Sequence, residues 1–199
     1  MAPVLYNTEM AAGSLLVNES RKVAELILQG ATEADWRRFI HIDNVLQKRS
    51  PSSARRQTRL LRNRLEHVPH DLLQLVVSGS NEAVVQALLA AAIKHSRLLG
   101  EFMDRVMREH LRNFEPCLST SDWGKFLAEC EQRGPEIGLW AESTKKKLGQ
   151  VTLRVLTEAK YLDNPRNMRI TPVSLLPEVR RCLEQHGETY PLHCMTLNS

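Results

Sequence analysis

An all-α, multi-helix bundle is the fold this chain predicts, and three observations carry the prediction. Apolar residues recur at three- and four-residue spacing in segment after segment, enough for helix over roughly two-thirds of the chain. The stretch Asn81–His95, NEAVVQALLAAAIKH, is apolar nearly all round, as a helix enclosed by other helices must be. Only Met168–Val173 reads as a short strand, which allows at most one small β-hairpin.

Taken in order, residues 1–13 are expected to form a loose arm. Leu16, Val23, Leu26 and Ile27 then mark a helix over Leu15–Gln29, with Asn18 as its N-cap and Gly30 as its stop. Thr32 opens the next helix, where T-E-A-D resembles a capping box, and Trp36, Phe39 and Ile40 turn inward. Ser50-Pro51 resets the chain for an arginine-rich helix from about Ser53 to Glu66. Pro69 suits the first turn of a helix that buries Leu72, Leu73, Leu75 and Val76 and ends at Gly79. Asn81–His95 follows as the hub of the core. Arg97–Arg112 places Leu99, Phe102, Met103, Val106 and His110 on one stripe, opposite Glu101, Asp104, Arg105, Arg108 and Arg112.

Pro116, Ser119, Thr120 and Ser121 mark a domain boundary, dividing an N-terminal helical bundle (1–115) from a C-terminal, winged-helix-like helical subdomain (116–199). Asp122–Gln132 turns Trp123, Phe126, Leu127 and Cys130 inward, and Gly134-Pro135 breaks the chain. In Ser143–Leu162, Leu148, Val151, Val155, Ala159 and Leu162 pack while Lys146, Lys147, Gln150 and Arg154 point the other way. A turn at Asp163-Asn164-Pro165 leads into the short strand, with Arg166 and Arg169 at its tip. Two helices, a basic helix and a small hairpin follow the order of a winged helix, whose third helix enters the major groove and whose wing touches phosphate. A winged-helix-like packing unit, or a plain basic helix, has the same order. Ser174–His186 closes the fold with Leu175, Leu176, Val179 and Leu183, and the last dozen residues are expected to be loose.

The 199 residues, 42% hydrophobic and 25% charged, are ordinary globular composition. Net charge is only +4, so clustering matters more than total. Four cysteines are widely separated without a CxxC pair, arguing against a zinc knuckle and a secreted disulfide framework and for a reducing cytoplasm. The longest apolar run, Ala83–Ile93, is too short to span a bilayer, so a soluble cytoplasmic protein without a membrane partner is expected. Seven dispersed histidines complete no metal set, and GxSxG, P-loop and GxGxxG motifs are absent. Cys130 and Cys182 sit at apolar helical positions, where an inert thiol is expected. These features favour a non-enzyme with no cofactor.

The informative stretch is SPSSARRQTRLLRNRLEH. From Asn44 to Leu65 there is no acidic residue, yet Lys48, Arg49, Arg55, Arg56, Arg59, Arg62 and Arg64 supply seven cations. At about 100° per residue, Ala54, Thr58, Leu61 and Leu65 gather on one face while Arg55, Arg59 and Arg62 gather on the next. Guanidiniums at i, i+4 and i+7 repel by a few tenths of a kcal/mol per pair, which a polyanion would relieve. Pairing with carboxylates distant in sequence would relieve it too.

SLLVNESRKVAELIL, RSPSSARRQTRLLRNRL, the SGS before the alanine helix, KHSRLLGEF, STKKKLGQVTLRVLTEAKYL and RITPVSLLPEV, in that order, resemble the BrxA family of bacteriophage-exclusion (BREX) systems. The likeness runs over roughly residues 13–185 and is one of helix texture, not of a catalytic motif. It implies an accessory protein of a phage-defence island that also encodes a methyltransferase, an AAA-type ATPase and a phosphatase-domain protein, each a candidate partner. It also implies a fold similar to the antitermination factor NusB. A label of putative inner-membrane protein attached to the family disagrees with the absence of any spanning segment.

Together these readings predict a non-catalytic accessory that binds double-stranded DNA with weak sequence preference. Lys48, Arg49, Arg55, Arg56, Arg59 and Arg62 would form one phosphate-contacting surface and Lys146, Lys147, Arg154, Arg166 and Arg169 a second. The alternatives are a protein adaptor using the same faces, or a NusB-like RNA binder.

Overall fold

The structure, a computed structural model, describes residues 6–197. It is all-helical, and the alanine-rich helix is its hub. We label the helices α1 (Val17–Leu28), α2 (Glu33–His41), α3 (Pro51–Leu65), α4 (His70–Ser78), α5 (Asn81–His95), α6 (Arg97–Glu101), α7 (Arg108–Arg112), α8 (Asp122–Glu131), α9 (Glu142–Glu158), α10 (Pro177–Gln185) and α11 (Thr189–Met195). Ala87, Leu89, Ala92 and Ile93 of α5 are almost wholly excluded from solvent, and α1, α3, α4, α6, α10 and α11 all pack against it. Alanine at these positions lets neighbouring backbones approach closely while favouring the helix itself.

Local signals account for most helix starts. Thr32 and Asp35 complete a capping box, Thr32 N donating to Asp35 Oδ2 at 2.8 Å. Ser50 caps α3 through Ser53 N, and Pro51 stands at its first position. Gly30, at φ +67°, supplies the left-handed residue that stops α1. Asn18, however, does not cap α1: the helix begins one residue before it, after Leu16 in the left-handed region.

Three expectations are corrected. The first is the loose arm at residues 1–13, of which 1–5 lie outside the described residues. Glu9–Ala12 form a 3₁₀ turn with Met10 fully buried, and the Tyr6 hydroxyl donates to Glu101 Oε2 at 3.1 Å. Secondly, Arg97–Arg112 is not one uniform α-helix, because Phe102–Met107 is π-helical. The extra residue in that repeat rotates the later part of the stripe, so that Arg108, expected on the solvent face, is only 3% exposed. Glu101, also expected there, precedes the π segment and is 6% exposed because residues 98–103 are buried on every side. Glu101 takes Arg97 and Arg133, each at 2.7 Å.

Arg108 explains the third correction, the order of the last dozen residues as far as 197, with 198 and 199 lying outside the described residues. Its guanidinium donates to the carbonyls of His193 at 2.7 Å and Thr196 at 3.0 Å, satisfying the free end of α11, while the Tyr161 hydroxyl donates to Met195 O at 2.6 Å. Cys194 and Met195 are buried as a result.

Beyond α9 the expected strand consists of two isolated antiparallel bridges, Cys117 with Arg169 and Leu162 with Ile170, without a continuous ladder. Phe102 packs edge-on against Phe126 at 5.3 Å and tilted against Trp123 at 5.6 Å, so aromatic side chains from both sides of residue 116 share the core. Among the described residues no helix is long and apolar enough to cross a membrane.

Candidate nucleic-acid interface

The arginine helix divides its cations between two tasks. On its inner side Ala54, Thr58, Leu61 and Leu65 are buried, as their spacing requires. Arg55, Arg56 and Arg59 are exposed on the outer side, and Arg49 is exposed just before the helix. Arg62 is held within the chain: it pairs with Glu33 at 2.7 Å and with Glu66 one turn on, and its guanidinium lies 4.8 Å from the Trp36 ring centre. Hydrogen bonds to Glu33 and Glu66 raise its pKa further. Lys48 is likewise engaged, its ammonium 2.7 Å from Glu19. Both side chains join helices, α2 to α3 and the α2–α3 loop to α1.

Arg64, which the sequence marks only as one more cation, organises the site. It is 4% exposed and donates to the carbonyls of Ser14 at 2.6 Å and Gly13 at 3.3 Å. Burial pushes its pKa down to about 10, with the Glu158 charge opposing. From the other side, Glu158 of α9 accepts from Ser14 Oγ at 2.7 Å and Leu15 N at 2.9 Å. Residues 13–15 are thereby gripped between α3 and α9, and the turn Glu9–Ala12 packs against both helices. The two basic helices thus flank one seam.

On α9, Lys146, Lys147, Gln150 and Arg154 are exposed and fall within an arc of about 100°, while Leu148, Val151, Val155 and Leu156 are buried. Lys147 and Arg154 lie about 20° and 40° from Glu158 on the helix wheel, on the edge that meets the seam. Thr144 of α9 lines a cleft of about 420 Å³ together with Arg56 and Arg59 of α3 and Thr8, Glu9 and Ala12 of the turn. Arg166 and Arg169 stand apart from these, beyond the C-terminal end of α9. They are exposed on a turn whose Asp163 carboxylate accepts from the backbone N–H groups of Asn164 at 2.6 Å and Arg169 at 2.9 Å. From Lys146 to Glu158, α9 extends about 18 Å.

Besides Glu158, the turn itself brings a carboxylate into the seam. Glu9 Oε1 pairs with Arg59 Nη2 at 3.0 Å, while its Oε2 meets Asn63 Nδ2 at 2.9 Å and His95 Nε2 at 3.0 Å. Burial acts to raise its pKa, but the bonds from Asn63 and His95 and the charges of His95 and Arg59 outweigh it and hold the carboxyl below its ordinary value. Glu9 lies 50 residues from Arg59, so no local spacing signals the contact. Among the described residues no group of three His, Cys, Asp or Glu is arranged to hold a metal ion.

Comparison with known proteins agrees with this helical architecture. A family model described as BrxA matches residues 4–187. A BREX protein BrxA of Paramagnetospirillum magneticum is 41% identical over 198 residues, covering all of both chains. A BREX protein BrxA of Escherichia coli O9:H4 is 31% identical over 180 residues, 90% of this chain and 84% of the relative. A crystal structure of an uncharacterized protein from Magnetospirillum magneticum superposes with a TM-score of 0.90 at 39% identity, over 97% of this chain and 99% of the other. With a full-length relative at this identity and the family pattern running through nearly every helix, the chain belongs to the BrxA family of BREX phage-defence proteins.

Proposed function

We propose that this chain is a non-catalytic accessory of the BREX system that binds double-stranded DNA along the seam between α3 and α9. The observation that carries the reading is that two helices far apart in sequence pack on the same turn and each exposes three cations: Arg55, Arg56 and Arg59 on α3, and Lys146, Lys147 and Arg154 on α9. Arginine and lysine at this spacing suit phosphates rather than base edges, which predicts binding with little sequence preference. Arg49 extends the strip at one end, and Arg166 and Arg169, past the far end of α9, would meet the backbone further along the duplex. Lys48 and Arg62, already occupied by Glu19, Glu33 and Glu66, contribute through the fold.

The test is fluorescence anisotropy of a labelled duplex of about 30 base pairs at several salt concentrations. Six phosphates neutralised by the six principal cations give a log–log salt slope of about −5. Changing Arg55, Arg56 and Arg59 to glutamate abolishes binding in a protein whose circular dichroism is unchanged. A slope near zero, or equal binding by the variant, refutes the reading. A protein adaptor is the second reading, favoured by Phe114 and Leu139, 93% and 88% exposed. It predicts association with another BREX protein that survives nuclease treatment.

A further inference from the structure

Resting on the DNA-binding reading, we infer that Glu9 is a built-in competitor for phosphate at Arg59. The two oxygens of its carboxylate have different partners. Oε2 is fixed on the inner side by Asn63 of α3 and His95 at the end of α5, at 2.9 and 3.0 Å. Oε1 is turned to the rim, where it meets Arg59, a side chain 75% exposed. The carboxylate therefore stays in place whether or not Arg59 bonds to it, whereas Arg59 is free to swing outward. The turn that carries Glu9 is itself anchored, by buried Met10 on one side and by the grip of Arg64 and Glu158 on residues 13–15 on the other.

A phosphate entering the cleft lined by Arg56, Arg59 and Thr144 must draw Arg59 off Oε1 and then lie beside a fixed negative charge. Both effects weaken binding, and the second is felt by Arg56 as well. Glu9 sets the affinity of the strip below what its cations alone would give.

The experiment compares wild type with Glu9→Gln and Glu9→Asp in the same duplex titration, with thermal melting of each protein to establish folding. A unit charge at hydrogen-bonding range in a solvated site corresponds to about fivefold in affinity, so Glu9→Gln binds about fivefold tighter. Its salt slope stays at about −5, because Arg59 meets a phosphate in both proteins and only the neighbouring negative charge is gone. Glu9→Asp keeps the charge in the cleft but draws it back from Arg59, and gains clearly less than Glu9→Gln does, which separates charge from any loosening of the turn. In an Arg59→Gln background the gain from Glu9→Gln shrinks to what repulsion of phosphate at Arg56 leaves, and a gain undiminished by the loss of Arg59 overturns the competition. If wild type binds and Glu9→Gln binds equally or more weakly, or if Glu9→Asp gains as much, the inference fails while the DNA-binding reading stands. If neither wild type nor Glu9→Gln binds duplex, both fall together.

Discussion

Gly149→Ala should destabilise the protein, although alanine is the better helix former. Gly149 is buried in α9, and a Cβ built on it would lie 2.7 Å from Trp123 Cδ1, 2.8 Å from Nε1 and 2.9 Å from Cγ. The indole has little room to retreat: its Nε1–H donates to Lys145 O at 2.9 Å, and its ring contacts Phe102 and Phe126, both at 5.6 Å between centres. Alanine contributes about 1 kcal/mol through helix propensity. Against that stand about 2 kcal/mol for overpacking and about 1 kcal/mol for the lost indole bond. The net cost is about 2 kcal/mol, or a fall in Tm of about 4–8 °C for a chain of this size. Urea unfolding followed by both tryptophan fluorescence and circular dichroism measures it. In a Trp123→Leu background the obstacle is gone, and the same glycine substitution should stabilise by about 1 kcal/mol. Wild-type or higher stability of Gly149→Ala alone would refute the reasoning, since the propensity gain would then be unopposed.

Three further outcomes follow from side-chain placement. Arg62→Gln should cost about 1–2 kcal/mol in urea unfolding, through loss of Glu33, Glu66 and the Trp36 face, whereas Arg55→Gln stays within about 0.5 kcal/mol of wild type; equal costs would contradict the division of labour on α3. His95 is held below its usual pKa, first by burial and next by the charge of Arg64. A base depressed in the folded state contributes stability above its unfolded pKa of about 6.5 that is lost as pH falls through the folded value. Stability should therefore decline below about pH 6.5, and His95→Gln should flatten that slope in urea unfolding measured between about pH 5 and 7. Finally, Cys130 and Cys194 are buried with thiol pKa values pushed up to about 11 and about 12 by burial, and Cys182 is buried with its pKa raised, while Cys117 is exposed. A native thiol titration should show a single fast group that vanishes in Cys117→Ser and four groups after denaturation.

The helices were legible wherever one face was apolar, and most closely where the expected cap stood at the start, as at Thr32. What misled was periodicity carried across a change of repeat. A stripe counted at about 100° per residue through Phe102–Met107 puts Arg108 in water, and the π turn puts it inside; Glu101, just before that turn, lies where the helix is buried on every side and no stripe applies. The ends of the chain misled for a related reason. Tyr6, Met10, Cys194 and Met195 have too few neighbours in sequence to show a stripe, and their burial depends on partners such as Glu101, Arg108 and Tyr161 that lie far away.

The same limit governs the candidate site, and it explains why counting cations overstates the surface they make. Seven basic residues without an acid between Asn44 and Leu65 read as one undivided charge. In the fold Glu19, Glu33 and Glu66 take Lys48 and Arg62, backbone carbonyls take Arg64, and Glu9 takes one bond of Arg59. Arg49, Arg55 and Arg56 remain exposed without an ion pair among the described residues. A surface of three cations is too small to hold a duplex firmly at physiological salt, since each phosphate neutralised adds only about 0.9 to the salt exponent. α9 supplies what α3 lacks. It does so only because Arg64 and Glu158 grip residues 13–15 from opposite sides, so a buried arginine with no access to solvent decides how far apart the exposed ones stand. Ser14→Ala removes the hydrogen bond to Glu158 Oε1 and leaves every charge in place, so it weakens that grip alone. It should therefore lower duplex affinity without removing a single cation, by an amount that tracks its loss of stability. Unchanged affinity in a measurably destabilised Ser14→Ala would show that the two basic helices bind DNA independently of their spacing.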